Sequence, residues 1–182
     1  METFLLSFLF FLYFVVRYYV TDHDTTLDKD RKRFAEGIAL YEAADFLAAH
    51  AYFDQKVKEN RRSAIAYAYR GKCNRKEDNT YSAMYDFTEA LSFDTTLDDV
   101  HLEKGILHYE LAEYNDAFLS FDKAVWFSRG ETPEAFRWRA LARLKLHQNS
   151  QAENDLRKAV QMGDEDAAFV LTQPPFRRRI KI

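Results

Sequence analysis

The chain has little cysteine, proline and glycine, and each shortage excludes something. Its 182 residues include one cysteine, three prolines and five glycines. A single cysteine, Cys73, cannot close a disulfide within the chain, so no cross-linked scaffold is expected. Three prolines leave no proline-rich linker. The glycines are scattered, and a phosphate-cradling loop needs them clustered between a strand and a helix. Gly71-Lys72 runs into Cys73 in what reads as mid-helix, so the common modes of nucleotide binding are excluded. Neither sign of charge dominates: the formal net charge is -3. Catalytic patterns are also missing. There is no G-x-S-x-G elbow and no supported Cys–His pairing. His101 and His108 stand seven residues apart, whereas a helical metal pair wants three or four. Both read as helix-surface histidines. No catalytic residue, cofactor or metal site is expected.

What is present is a repeat. Phe53, Phe87, Phe121 and Leu156 stand 34, 34 and 35 residues apart. Ala49, Ala83, Ala117 and Ala152 keep the same step, as do Val57, Leu91, Val125 and Val160. Gly37, Gly71, Gly105 and Ala140 form a fourth column. Four columns in one register mean four copies of one structural unit, and a period in this range means a stacked repeat. Within each copy the apolar residues step by four, which places them on one helix face. A second helix precedes each stripe and carries the glycine column, where a side chain would hold two helices apart. One such pair cannot bury its apolar face alone, so stacked neighbours build a continuous core.

These units resemble tetratricopeptide (TPR) repeats, a helix–turn–helix family with a G-x-x-Y, A-x-x-x-F, A pattern. Residues 66–94 match best, with Gly71, Ala83, Phe87 and Ala90 in place. Residues 101–125 follow, with Gly105, Tyr114, Ala117, Phe121 and Ala124. The first unit departs at Lys56. The fourth departs in its first helix, where Arg139 and Arg143 fill slots that are usually apolar. The resemblance implies an all-α, right-handed α-solenoid over 31–172. Its repeats would span about 31–63, 64–97, 98–132 and 133–164, with a capping helix at 165–172.

The N-terminus is different. Residues 4–16 are apolar apart from Ser7, Arg17 interrupts, and Tyr18, Tyr19 and Val20 continue. A cleaved signal peptide, a buried solenoid helix and a membrane anchor all compete. The start lacks a basic residue and no A-x-A pattern follows, which counts against cleavage. A repeat helix is striped, and this one is apolar all round. The reading adopted is a single transmembrane helix over 1–20, then a linker over 21–30. The basic residues Arg17, Lys29, Arg31, Lys32 and Arg33 follow the span, which would place the repeats on the cytoplasmic side. At the other end, 173–182 is a basic tail. Its FRRRIKI stretch (176–182) reads as solvated, or as a second contact with an anionic membrane surface. Nucleic acid is the weaker partner for it, because the rest of the chain is acidic.

By resemblance, the first helices of successive repeats line a concave groove that holds a peptide. The positions so implied are Phe34, Ile38 and Tyr41 in repeat 1 and Lys72, Arg75 and Lys76 in repeat 2. Repeat 3 supplies Leu102, Ile106 and Tyr109, and repeat 4 supplies Arg137 and Lys145. Aromatic anchors beside charged groups suit an acidic peptide with apolar residues. The family's chaperone-tail binders clamp a C-terminal carboxylate with a Lys and Asn pair. Here those slots hold Phe34 and Ile38, and the later basic slots hold Asp99 and Glu103. The expected function is thus a membrane-anchored interaction scaffold without catalysis. The alternative is a structural subunit of a larger membrane complex, built on the convex face or the N-terminal segment.

Overall fold

The computed structural model describes residues 2–20 and 26–177. Over that range it has eleven α-helices and no strand. The chain divides into two units, 1–35 and 36–182.

The first unit holds α1 (Glu2–Val20) and α2 (Thr26–Arg33). The expected transmembrane helix and single-pass membrane location are overturned here. Among the described residues, no helix is long and apolar enough to cross a membrane. The physical reason is length. The apolar run 4–16 is thirteen residues, about 20 Å at helical rise, against a hydrocarbon core of about 30 Å. Arg17 ends the run, and its Nη1 donates to the Tyr13 hydroxyl at 3.4 Å. Counting Tyr18, Tyr19 and Val20 across that arginine lengthened the run on paper only. Helix α2 takes up the second half of the stretch expected as linker; residues 21–25 lie outside the described range, as do 178–182 of the basic tail.

The second unit is a TPR-like solenoid. Four helix pairs follow in order: α3 (Ala35–Glu42) with α4 (Phe46–Glu59), α5 (Ala64–Lys76) with α6 (Thr80–Phe93), α7 (Asp98–Glu110) with α8 (Tyr114–Phe127), and α9 (Pro133–Lys145) with α10 (Asn149–Gln161). Helix α11 (Glu165–Leu171) comes last. The glycine column does what its spacing implied. A Cβ on Gly71 would lie 2.8 Å from the Phe87 ring, and one on Gly105 2.5 Å from the Phe121 ring. Both rings are fully buried. In the fourth repeat both partners change: Ala140 replaces glycine and the smaller Leu156 replaces phenylalanine.

Each pair turns its corner on one residue in the left-handed region: Ala44 (φ 61°), Asp78 (φ 58°), Ala112 (φ 60°) and His147 (φ 60°). None is glycine, so each corner costs about 1–2 kcal/mol that the packed helices offset. Gly130 and Gly163, just past the ends of α8 and α10, also have positive φ, 72° and 94°. Side-chain caps start α4, α5 and α11: Asp45, Ser63 and Asp164 accept from the backbone N–H of Ala48, Ala66 and Ala167.

Candidate functional site

Helices α3, α5, α7 and α9 lie side by side, and equivalent positions at their three junctions hold a pair each. Between α3 and α5 it is aromatic: Tyr41 meets Tyr69 edge-on, ring centroids 5.7 Å apart. Between α5 and α7 it is ionic: Arg75 pairs closely with Glu103. Between α7 and α9 it is aromatic again: Tyr109 meets Trp138 at 5.5 Å. The ladder therefore reads aromatic, charged, aromatic along one face.

The charged middle is self-neutralised. Lys72 Nζ lies 2.7 Å from Asp99 Oδ2 and 4.6 Å from the centre of the Tyr69 ring. Burial works against the Lys72 ammonium, but Asp99 more than offsets it, and the pKa is raised. Burial pushes the Glu103 carboxyl up, opposed by the Arg75, Lys72 and Lys76 cations. The Tyr41 phenol is raised by burial and then by Glu103. At the far end Arg137 Nε donates to Asp164 Oδ2 at 3.0 Å, and Nη2 is 3.5 Å from Asp166.

The residues expected in the groove thus fall into four groups. Phe34 belongs to the first unit and is buried. Leu102 and Ile106 are buried with Phe121 and Ala135 in one apolar cluster, so they hold repeats together. Lys72 is buried too, while Arg75 and Arg137 are half-buried in ion pairs. Ile38, Tyr41 and Tyr109 are half-buried, and Lys76 and Lys145 are exposed. The two lysines sit alike, each above an aromatic ring of the preceding repeat: Lys76 over Phe46 at 5.9 Å and Lys145 over Tyr114 at 5.8 Å. Tyr69 and Trp138 were missed. Their signal was positional: both stand 28 or 29 residues after a groove tyrosine.

The two histidines read as surface groups differ. His108 contacts Glu113 at 2.7 Å, and with Asp116 these form a trio of ligating atoms within 4.8 Å of one another. His101 is buried, a correction to its reading as a surface group. Its ring stacks on Phe127 at 5.4 Å and its Nε2–H donates to the Thr95 carbonyl at 2.9 Å. Burial lowers its pKa, against the pull of that carbonyl. A depressed pKa favours the fold above the ordinary value of about 6.5 and less so as pH falls through the folded value. Melting temperature should therefore drop between about pH 7 and pH 5, and His101→Gln should flatten that slope. Glu103 acts with the opposite sign at lower pH, so the variant-minus-parent difference is the quantity to measure. Parallel pH profiles would remove His101 from the account.

No protein-family model matches the chain, and no curated protein matches it in sequence. The geometry is that of a TPR-like helical solenoid, and solved structures share it. The chain is similar to MamA (TM-score 0.64, 19% identity, over 72% of this chain and 77% of that one). It is similar to PilF of Pseudomonas aeruginosa (TM-score 0.69, 19% identity, over 78% and 65%). A third likeness is to the second TPR domain of Spaghetti (RPAP3), solved bound to the HSP90 peptide SRMEEVD (TM-score 0.54, 20% identity, over 59% and 98%). At such identities the likeness concerns the fold.

Proposed function

We propose that this chain is a non-catalytic interaction scaffold that holds a protein or peptide segment on the face formed by α3, α5, α7 and α9. The observation that carries the reading is the ladder of Tyr41–Tyr69, Arg75–Glu103 and Tyr109–Trp138 along that face. Half-buried aromatic pairs offer rigid apolar contact at little entropic cost. A TPR domain of similar fold was solved with a peptide bound, which supports a peptide as the kind of ligand. The ligand best matched carries two apolar anchors for the aromatic pairs and a carboxylate for Lys76 or Lys145. Lys72 and Arg75 already meet Asp99 and Glu103, so they are poor partners for an incoming acid. The groove set is then Ile38, Tyr41, Lys76, Tyr109 and Lys145, with Arg75 and Arg137 as its ion-paired floor.

A second reading rests on the other helices. Leu47, Tyr81, Leu119 and Trp126 are all exposed on α4, α6 and α8, and exposed apolar groups suit a permanent contact in an assembly. Photo-crosslinking separates the two. Crosslinkers at Lys76 and Lys145 should give partner adducts, and those at Leu119 and Trp126 should not. Adducts from Leu119 and Trp126 alone would replace the first reading by the second. Charge reversal tests the ligand chemistry: Lys76→Glu with Lys145→Glu should weaken partner recovery at unchanged helicity. Reversal at Lys72 or Arg75 should instead destabilise the fold, because it leaves a carboxylate beside a carboxylate.

A further inference from the structure

Beneath the one-repeat period the second unit carries a two-repeat period. Arg70 donates to Asp86 from Nε (3.0 Å) and Nη2 (2.6 Å), and from Nη1 to Asp54 at 2.9 Å. Arg139, 69 residues on, donates to Asp155 from Nε (2.9 Å) and Nη2 (2.7 Å), and from Nη1 to Asp122 at 2.7 Å. Phe53 stacks on Tyr69 as Phe121 stacks on Trp138. The junction in between is built otherwise. There Lys104 stands in the arginine's place and donates to Thr88 at 3.0 Å.

The two matching junctions differ one helical turn further along, at Asn74 and Arg143. Arg143 Nη1 donates to Asp155 Oδ2 at 2.6 Å and approaches the Gln151 carbonyl at 3.5 Å. Its guanidinium lies over the Phe118 ring, 5.2 Å from the centroid. Asn74 makes only the first of these bonds, to Asp86 Oδ2 at 2.9 Å. Its side chain ends there, and a cavity of about 520 Å³ opens between α4 and α6. The lining includes His50, Asp54, Asp86 and Ser82, with Tyr81 and Tyr85 as walls. Those tyrosines are 85% and 58% exposed. His50 corresponds to Phe118, and Ser82 to Gln151. The lining sets two aspartates against one arginine, where the second junction has two against two. Lys58 also reaches Asp54, at 2.6 Å, but from the surface, with 74% of its side chain exposed.

We propose that this cleft binds an arginine side chain presented by a partner protein, its guanidinium taking the place that Arg143 fills from within at the second junction. A planar guanidinium fits the site in three ways. It can take over the Asn74 bond on Asp86, it can donate to the Ser82 carbonyl, and it can lie against the faces of Tyr81 and Tyr85. An ammonium lacks the plane and the fork. The site is separate from the face of first helices, so it stands or falls independently of the groove.

The experiment is an NMR titration of the full chain with N-acetyl-arginine amide, using the citrulline and lysine analogues as controls. Saturable shifts are expected at His50, Tyr81, Ser82 and Tyr85. The neutral citrulline analogue, of the same shape, should bind about tenfold more weakly, a difference of about 1.4 kcal/mol. Asn74→Arg fills the cleft from within, so it should keep the fold and lose the response. Arg143→Asn empties the second junction, so new arginine-dependent shifts should appear at Phe118 and Gln151. That gain decides the matter even if Asn74→Arg fails to fold. Equal shifts with arginine and citrulline, or no new site in Arg143→Asn, would overturn the proposal.

Discussion

Replacing Phe121 with alanine is expected to destabilise the repeat unit by about 3–5 kcal/mol. The ring is fully buried and fills the space that Gly105 leaves open. It stacks on Trp138 of the next repeat, centroids 5.9 Å apart. It also packs with Leu102, Ile106, Ala117, Ala124 and Ala135. Truncation removes transfer energy and leaves a cavity that helices this close cannot collapse into. For a unit of this size the melting temperature should fall on the order of 10 °C. Repeat arrays lose stability through interfaces as well as units, and this ring serves both. Leu119→Ala, two residues earlier and exposed, is the internal control and should stay within about 0.5 kcal/mol. If both variants melt with the parent protein, Phe121 does not face the core.

The repeat register was legible because one steric fact wrote two of the four columns. A ring on the second helix needs a gap on the first, so Phe and Gly had to recur together, and Leu156 opposite Ala140 keeps the same fit with the sizes exchanged. The corners were not legible. Ala44, Asp78, Ala112 and His147 share a backbone conformation and no chemistry, because helix packing imposes the φ and no residue type announces it. The charged slots of repeat 4 looked like departures from the family pattern. Arg139 and Arg143 are instead the two donors to Asp155. In the sequence the groove cations look available to a ligand. Three of the five pair with an acid about one repeat later: Lys72 with Asp99, Arg75 with Glu103, Arg137 with Asp164, while Lys76 and Lys145 lie over aromatic rings. That spacing of 27 or 28 residues was readable and went unread. The membrane helix failed for a simpler reason: the apolar run stops at Arg17, and the span was reached only by counting the residues beyond it.

Asp155→Ala should be the most damaging change at a charged position, costing about 3 kcal/mol or more. The carboxylate is almost wholly buried and accepts three charge-assisted hydrogen bonds, two from Arg139 and one from Arg143. Burial works against the Arg139 charge, and Asp155 with Asp122 more than offsets it, so its pKa is raised. Without Asp155, Arg139 keeps only Asp122 from this set, and Arg143 keeps a weak approach to the Gln151 carbonyl. Arg143 Nε is already buried with no hydrogen-bond partner, so there is no slack to absorb the loss. The cost is that of leaving two half-buried guanidinium groups short of counter-charge, and much less that of losing three bonds. A triple variant separates these causes. Asp155→Ala combined with Arg139→Met and Arg143→Met removes the charges along with their counter-ion, and chains of similar volume fill the space. Chemical denaturation should show it recovering more than half of the single variant's loss. A triple variant as unstable as Asp155→Ala alone would mean that the aspartate does something here other than neutralise its two arginines.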